Sequence, residues 1–115
     1  MSKQGPAGPR GSLFQGTLDL LVLRILTSGP QHGYAISRRL GELSGEWLQI
    51  DEGSLYPCLY RMEERGWVRS ETALSENKRK ARYYSLTGTG KRHLQLELDN
   101  WLQFRNVVEN VIEKA

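Results

Sequence analysis

The fold of this chain is decided by residues 53–67, which read GSLYPCLYRMEERGW. Leu55, Leu59 and Met62 recur at positions i, i+4 and i+7, and this spacing predicts an amphipathic helix that buries one apolar stripe. We place this helix within residues 51–65. Its other face is largely polar or aromatic, so that face is suited to meeting a partner.

The ends of this helix are marked by residues with known capping preferences. Asp51 is the first candidate N-cap and Ser54 the second, while Gly66 suits the C-terminal stop. Pro57 has no amide hydrogen, and in a helix interior its ring clashes with the carbonyl four residues earlier. We therefore expect either a helix start near Ser54 or a bend at Pro57.

Two further helices are predicted upstream of this segment. The first runs from Thr17 to Ser28, with Asp19 in its first turn, and it is apolar almost all round. A helix of that kind must be covered on more than one side, which favours a partner subunit. The second helix runs from about Gly33 to Leu43. Its expected buried stripe consists of Tyr34, Ile36, Leu40 and Leu43.

Extended segments follow the helices. Residues 47–50 alternate apolar and polar positions, which predicts a short extended segment. Residues 67–71 and 81–86 predict two strands, joined into a hairpin by a polar loop over residues 72–80. Within the second strand we expect Tyr84 to pack inward.

A long helix ends the chain. Thr87 is its expected cap, and a helix reaching towards Lys114 is about 40 Å long. A three-helix core cannot cover that length, so the distal half predicts contact with a second chain. The expected fold class is mainly α with a small β-hairpin. A winged helix-turn-helix domain spans residues 13–87 and a dimerisation helix residues 88–115, after a disordered arm over residues 1–12.

Length and composition exclude several classes of protein. The chain has 115 residues, which suits one domain and leaves no room for two. Its single cysteine, Cys58, makes an internal disulfide impossible and fits a cytoplasmic location. No apolar run reaches the length of about 18 residues that spans a membrane. We therefore expect no membrane segment.

Charge is distributed unevenly along a chain with a net charge of +3. Residues 78–93 carry six basic residues and no acidic one, whereas residues 97–115 carry four acidic residues and two basic ones. A basic hairpin neutralises phosphates and releases counterions, which gives salt-sensitive binding to nucleic acid. A solvated hairpin is the alternative, and the neighbouring helix-turn-helix pattern favours the nucleic-acid interpretation.

The predicted DNA-contacting residues lie on three elements. They are Tyr34 and Arg38 of the second helix, Ser54, Tyr56, Pro57, Tyr60 and Arg61 of the third, and Lys78, Arg79, Lys80, Arg82 and Tyr83 of the hairpin. A recognition helix presents its N-terminal residues to the major groove, and Arg61 is able to pair with a guanine edge or a phosphate. Tyr56 and Tyr60 alternatively flank the core, and we expect at least one of them to be partly structural.

A candidate ligand site lies on the long helix at Trp101, with Leu98 and Phe104 beside it. Two such helices across a dimer axis would bring two indole rings into a shared cavity where flat aromatic molecules stack. The alternative is an ordinary interface anchor, and the spacing alone favours that alternative.

The remaining polar residues do not predict an enzyme. His32, His93 and Cys58 complete no metal-binding spacing, and Cys58 is expected to be a buried packing residue. The run Gly88-Thr89-Gly90 lacks the rest of a phosphate-binding motif and is better explained as a helix start. No nucleophile, base and orienting group can be assembled. We therefore predict no enzymatic activity, no cofactor and no metal.

Taken together, the motifs resemble PadR-type transcriptional regulators. The resemblance is carried by LDLLVL (18–23), HGYAI (32–36), GSLYPCLYRMEERGW (53–67), RYYSLT (82–87) and Gly90. It covers about residues 14–112, and the combination is specific where any single piece is not. A member of this family is expected to be a dimeric winged-helix repressor that acts on nearby genes and is relieved by an inducer.

The resemblance also implies roles for individual residues. Residues 54–57 match the start of the recognition helix, and Lys80, Arg82 and Tyr83 match the wing. Trp101 is similar to the tryptophan of the multidrug-sensing members, which sandwiches planar drugs at the dimer centre. The chain also resembles the short subtype, without an enlarged effector domain. The implied partners are a double-stranded DNA operator with an inverted repeat, a second copy of the chain and a small aromatic effector.

A different class of function stays open at this point. A winged-helix dimer can serve as a protein-interaction module without an operator, its basic hairpin docking an acidic partner. Salt-sensitive binding to any duplex, without sequence preference, is the observation that separates the two.

Overall fold

A computed structural model describes the backbone of residues 11–115 and the side chains of residues 16–115. The order of elements is helix, helix, helix, hairpin and long helix, as predicted. The elements are α1 (Gly11–Ile25), β1 (Gln31–His32), α2 (Gly33–Leu43), α3 (Glu52–Glu64), β2 (Val68–Leu74), β3 (Lys80–Leu86) and α4 (Gly88–Lys114), with a 3₁₀ turn over Leu26–Ser28 after α1. The fold class predicted from the sequence is confirmed.

Helix α1 differs most from its predicted bounds. It begins at Gly11 rather than at Thr17, so Asp19 lies in the middle of the helix and not in its first turn. Gly16 and Thr17 are poor helix formers, but a propensity difference of about 1 kcal/mol per residue does not stop a helix. The prediction of disorder is wrong for residues 11 and 12, and its first ten residues lie outside the described part of the chain.

Helix α2 has its predicted bounds but a narrower buried stripe. Ile36 and Leu40 are buried, whereas Tyr34 is 63% exposed and Leu43 64% exposed. Residues 36 and 40 are one helical turn apart, whereas residue 34 lies about 200° around the axis from residue 36. The prediction that Tyr34 belongs to the buried stripe of α2 is therefore wrong. Leu43 lies at the C-terminal end of the helix, where the turn over residues 44–46 follows.

Helix α3 starts from the predicted cap and continues through Pro57. The Asp51 carboxylate accepts a hydrogen bond of 2.9 Å from the amide of Ser54. This cap satisfies a first-turn donor, so the helix begins at Glu52 and the expected start near Ser54 is wrong. Leu55, Leu59 and Met62 are fully buried, as their spacing predicts.

The sheet has three antiparallel strands in the order β1-β3-β2. The hairpin strands are longer than predicted, because residues 72–74 pair with residues 80–82 and shorten the loop to residues 75–79. Residues 47–50 form no strand. The third strand is instead Gln31–His32, which pairs with Tyr84 and Tyr83 of β3.

The start of α4 closes the fold against the hairpin. Thr87 caps the helix, its hydroxyl accepting a hydrogen bond of 2.9 Å from the amide of Gly90. A Cβ at Gly90 would overlap the carbonyl oxygen of Trp67, so only glycine permits this approach. Leu94 completes the core from α4. The beginning of α4 is therefore fixed by contact with the base of the β2–β3 hairpin, which we call the wing.

Candidate nucleic-acid interface

The exposed face of α3 carries four of the predicted DNA-contacting residues. Ser54, Tyr56, Pro57 and Tyr60 are all exposed, on the side opposite the buried stripe. Tyr60 is 65% exposed, and its hydrogen bond with Glu64 raises the pKa of its phenol. The face presents hydroxyl groups, which contact phosphates or base edges equally well.

Tyr56 also joins α3 to α2. A Cβ added at Gly33 would overlap the Tyr56 hydroxyl, so the ring lies directly against the first residue of α2. The Tyr56 side chain is nevertheless 39% exposed. The expectation that one of the two tyrosines is partly structural therefore agrees with the position of Tyr56.

Arg61 lies away from this exposed face and is directed towards α1. Its Nη2 atom is 2.7 Å from Oδ1 of Asp19, and 28% of the Arg61 side chain is exposed. The sequence predicts that Arg61 lies at the groove. In the structure its guanidinium instead forms an ion pair that links α3 to α1.

The tip of the hairpin presents three cations to solvent. The loop is closed by hydrogen bonds from the Ser75 amide to the Arg79 carbonyl (2.8 Å) and from the Lys78 amide to the Ser75 carbonyl (2.9 Å). Lys78 has a φ of 58°, in the left-handed region. Lys78, Arg79 and Lys80 are exposed, and none takes part in an ion pair among residues 16–115. The described residues therefore leave these three cations available to an anionic partner.

Arg82 connects the wing to α3. Its Nη1 atom donates a hydrogen bond of 2.8 Å to the Ser70 hydroxyl. That hydroxyl donates in turn to the Glu63 carboxylate at 2.8 Å. Arg82 is thus held on the surface between β2 and the end of α3. The two hydrogen bonds together join the two elements predicted to meet DNA.

A groove of about 760 Å³ lies between the start of α2 and the wing tip, and Tyr34, Arg38 and Tyr83 line it. The His32 ring stands edge-on to Tyr83 at 5.3 Å between centroids and stacks with Tyr34 at 6.4 Å. Arg38 is paired with Glu42 at 3.2 Å. The structure therefore brings the two predicted residues of α2 and one of the five predicted hairpin residues to one groove.

His32, for which the sequence predicts no functional role, also lines this groove. Its Nδ1 atom accepts a hydrogen bond of 3.1 Å from the amide of Ala35, which makes it the N-cap of α2. The signal available in the sequence was the position of a polar residue directly before the helix start at Gly33.

The predicted ligand residues lie at the junction of α1 and α4. A shallow hollow of about 200 Å³ is lined by Gly16, Leu20, Trp101 and Phe104 with their neighbours. The Trp101 and Phe104 rings are 6.4 Å apart. Leu98 packs against the core and does not line this hollow. The structure brings together two of the three predicted residues.

A helix-turn-helix pair, α2 and α3, followed by an exposed basic hairpin defines the winged helix-turn-helix class of DNA-binding protein. The chain belongs to the transcriptional regulator PadR-like family, whose family model matches residues 22–96. Regulators of this family are non-enzymatic DNA-binding proteins, so the prediction of a transcriptional regulator rather than an enzyme is confirmed.

Individual relatives agree with this assignment. The negative transcriptional regulator PadR of Bacillus subtilis is 28% identical over 85 residues, which are 74% of this chain and 44% of that protein. A PadR family transcriptional regulator from Eggerthella lenta has a solved structure that is 31% identical with a TM-score of 0.77, covering 90% of this chain and 88% of its own. The solved structure of a transcriptional regulator from Clostridium thermocellum matches with a TM-score of 0.79 at 26% identity. The match covers 87% of this chain and 97% of that chain. None of the described helices is long and apolar enough to cross a membrane.

Proposed function

We propose that this regulator is a homodimeric repressor that binds an inverted-repeat operator in the cytoplasm. The observation that carries the proposal is the exposed group of Lys78, Arg79 and Lys80, which has no ion-pair partner among residues 16–115, together with the hydroxyl-rich face of α3. Cations without protein partners retain their full attraction for phosphates. The Bacillus subtilis relative, described as a negative transcriptional regulator, supports the direction of control.

Every predicted DNA-contacting residue except Arg61 has a place in this arrangement. The face of α3 enters the major groove, where Ser54, Tyr56, Pro57 and Tyr60 meet base edges and phosphates. The wing tip clamps the flanking phosphates, and Arg82 holds the wing against α3 through Ser70. The groove between α2 and the wing contacts the DNA backbone through Tyr34, Arg38 and Tyr83. The wing supplies affinity and α3 supplies sequence preference.

The distal part of α4 supports the proposal that a second copy of the chain binds there. Val107, Val111 and Ile112 are all close to half exposed or more. An apolar stripe of this kind is stable in water when a second stripe covers it. In a two-fold dimer the two α3 helices would enter successive major grooves about 34–36 Å apart, which predicts the inverted repeat.

The decisive experiment selects bound fragments from a random duplex library at about physiological salt, where purely electrostatic binding is weak. We expect an inverted repeat. The variant Arg79→Ala/Lys80→Ala should weaken binding to all duplexes alike and reduce the slope of log affinity against log salt by about 2, because two phosphate contacts are lost.

Arg105→Ala/Lys114→Ala is the matched control, since it removes the same charge from α4. It should leave the salt slope unchanged. A wild-type salt slope for the wing variant would contradict the assignment of the wing. Salt-sensitive binding to every duplex without enrichment of any sequence would instead favour a protein-interaction module.

We further propose that a planar aromatic ligand relieves repression at the hollow beside Trp101. One hollow of about 200 Å³ is smaller than the 300–1,000 Å³ of ordinary ligand sites, and a second copy facing it would double the space. A ligand shifts the spacing of the two wings only by its differential affinity for the two spacings. Quenching of Trp101 fluorescence by a planar dye tests this proposal.

A further inference from the structure

We propose that Asp19 and Arg61 are positioning residues that set the rotation of α3 on α1, and through it the sequence preference of the protein. This inference rests on the proposed function, because it concerns how the recognition helix is presented to the operator. It also assigns Arg61 a role different from the base contact expected from the sequence.

The pair is a directional link between distant parts of the chain. Nη2 of Arg61 lies 2.7 Å from Oδ1 of Asp19, across a separation of 42 residues. The Asp19 side chain is 13% exposed and the Arg61 side chain 28% exposed. The link therefore lies at the edge of the core, between the middle of α1 and the last turn of α3.

A third group completes the link. The Cys58 thiol donates a hydrogen bond of 3.1 Å to the same Oδ1 atom of Asp19. Burial raises the pKa of this thiol well above its usual range, so Cys58 keeps its proton and remains a donor. Two donors from α3, one helical turn apart, thus converge on one carboxylate oxygen of α1.

The apolar contacts of α3 do not supply this direction, and the hydrogen bond from Ser70 to Glu63 joins the end of α3 to β2 and not to α1. Leu55, Leu59 and Met62 are buried and apolar, and dispersion and hydrophobic contacts are not directional. A helix held only by such a stripe is able to turn about its axis with small repacking. At a side-chain radius of about 5–6 Å, a turn of about 20° moves the tip of a side chain by about 2 Å. That displacement exceeds the tolerance of a hydrogen bond to a base edge.

The energetics favour a role in geometry over a role in stability. A partly buried ion pair gives back in Coulomb attraction little more than it loses in desolvation, so an apolar replacement of similar volume is often as stable. The same replacement removes the angular restraint. Asp19 and Arg61 are therefore distinguished from ordinary core residues by what their removal does to sequence preference.

The test measures binding of full-length variants to the operator, to every single-base-pair variant of that operator and to a random duplex. Asp19→Asn keeps the shape of the side chain and removes its charge. We expect it to lower operator affinity about tenfold and leave random-duplex affinity within about twofold, with the lost discrimination spread over the whole half-site. Asp19→Glu is expected to recover part of the discrimination. The double variant Asp19→Asn/Arg61→Gln should lose no more than the single one, because both changes remove the same link.

Asp19→Leu/Arg61→Met provides a variant that folds without the pair, and it should show the same even loss of discrimination. Retained random-duplex binding shows that each variant is folded and keeps its basic wing. Loss of preference at one base pair alone, seen with Arg61→Gln and absent with Asp19→Asn, would show that Arg61 reads that base and would overturn the inference. Wild-type discrimination in the apolar double variant would overturn it as well. If the wild-type chain enriches no sequence, the proposed function fails first and this inference falls with it.

Discussion

The two halves of α4 have similar apolar patterns but different surroundings. In the first half Gly90 and Leu94 are buried, and Leu98 packs against the core. In the second half Val107 and Val111 are exposed, and among residues 101–115 Val108 alone is partly buried. The pattern of apolar residues alone therefore does not determine burial. The first half meets the base of the wing and α1, whereas most of the second half is exposed, and in the proposed dimer a second chain covers it.

Leucine truncation in each half gives the largest expected contrast. Leu94→Ala should lower the free energy of unfolding by about 3 kcal/mol, because it leaves a cavity in the core. Leu102→Ala removes the same atoms from a side chain that is 45% exposed, so a dilute monomer should lose less than about 0.5 kcal/mol. Chemical denaturation followed by circular dichroism at two protein concentrations measures both effects.

The dependence on concentration separates the halves further. The loss for Leu94→Ala should be the same at both concentrations, whereas the loss for Leu102→Ala should grow with concentration if a second chain covers the helix. Equal losses for both variants at the lower concentration would contradict the contrast between the halves. A concentration-independent effect of Leu102→Ala would count against the proposed dimer.

Glycine substitution at the start of α4 gives the next largest contrast. Gly90→Ala should lower the free energy of unfolding by about 2 kcal/mol, since its Cβ would overlap the Trp67 carbonyl and the helix must shift. Gly88→Ala is the matched control, because the nearest atom to a Cβ there is Nη1 of Arg92 at 3.7 Å. Thermal unfolding of the two variants is the measurement. Equal melting temperatures would show that the first half of α4 is not fixed at Gly90.

Local signals explain which elements were predicted well. The starts of α3 and α4 depend on Asp51 and Thr87, and each caps an amide three residues ahead. Such caps are visible in the sequence because both partners are close neighbours. The apolar stripe of α3 is visible for the same reason. The buried Cys58 also follows from its place beside that stripe.

Long-range contacts explain what the sequence did not reveal. β1 has two residues, too few for a periodic pattern, and it exists because β3 lies beside it. The pairing of Asp19 with Arg61 joins residues 42 apart, and no spacing rule identifies such a pair. A lone carboxylate within an otherwise apolar helix was the available signal, since buried charges are usually paired. Of the candidate site, the exposed wing was therefore easier to predict than the orientation of α3.

The smallest effect concerns the hollow at the boundary between the two halves. A planar aromatic dye should quench the fluorescence of the wild-type protein with a saturable midpoint. Trp101→Ala should abolish this saturable quenching or weaken the dye affinity about tenfold. The reason is that stacking of aromatic rings contributes about 0.5–1.5 kcal/mol beyond the buried area. Trp47→Phe is the control, since Trp47 is 56% exposed and would give only unsaturable collisional quenching.

The position of the hollow explains why this measurement bears on both halves. Trp101 follows the packed residue Leu98 by one turn and precedes the exposed stripe, and α1 contributes Gly16 and Leu20 to the same hollow. A dye bound there is covered on one side by α1 and on the other only if a second α4 is present. The dye affinity should therefore fall on dilution through the dimer dissociation range. An affinity that is independent of protein concentration would place the ligand on a single chain, and saturable quenching that survives Trp101→Ala would assign it to Trp47 or Trp67.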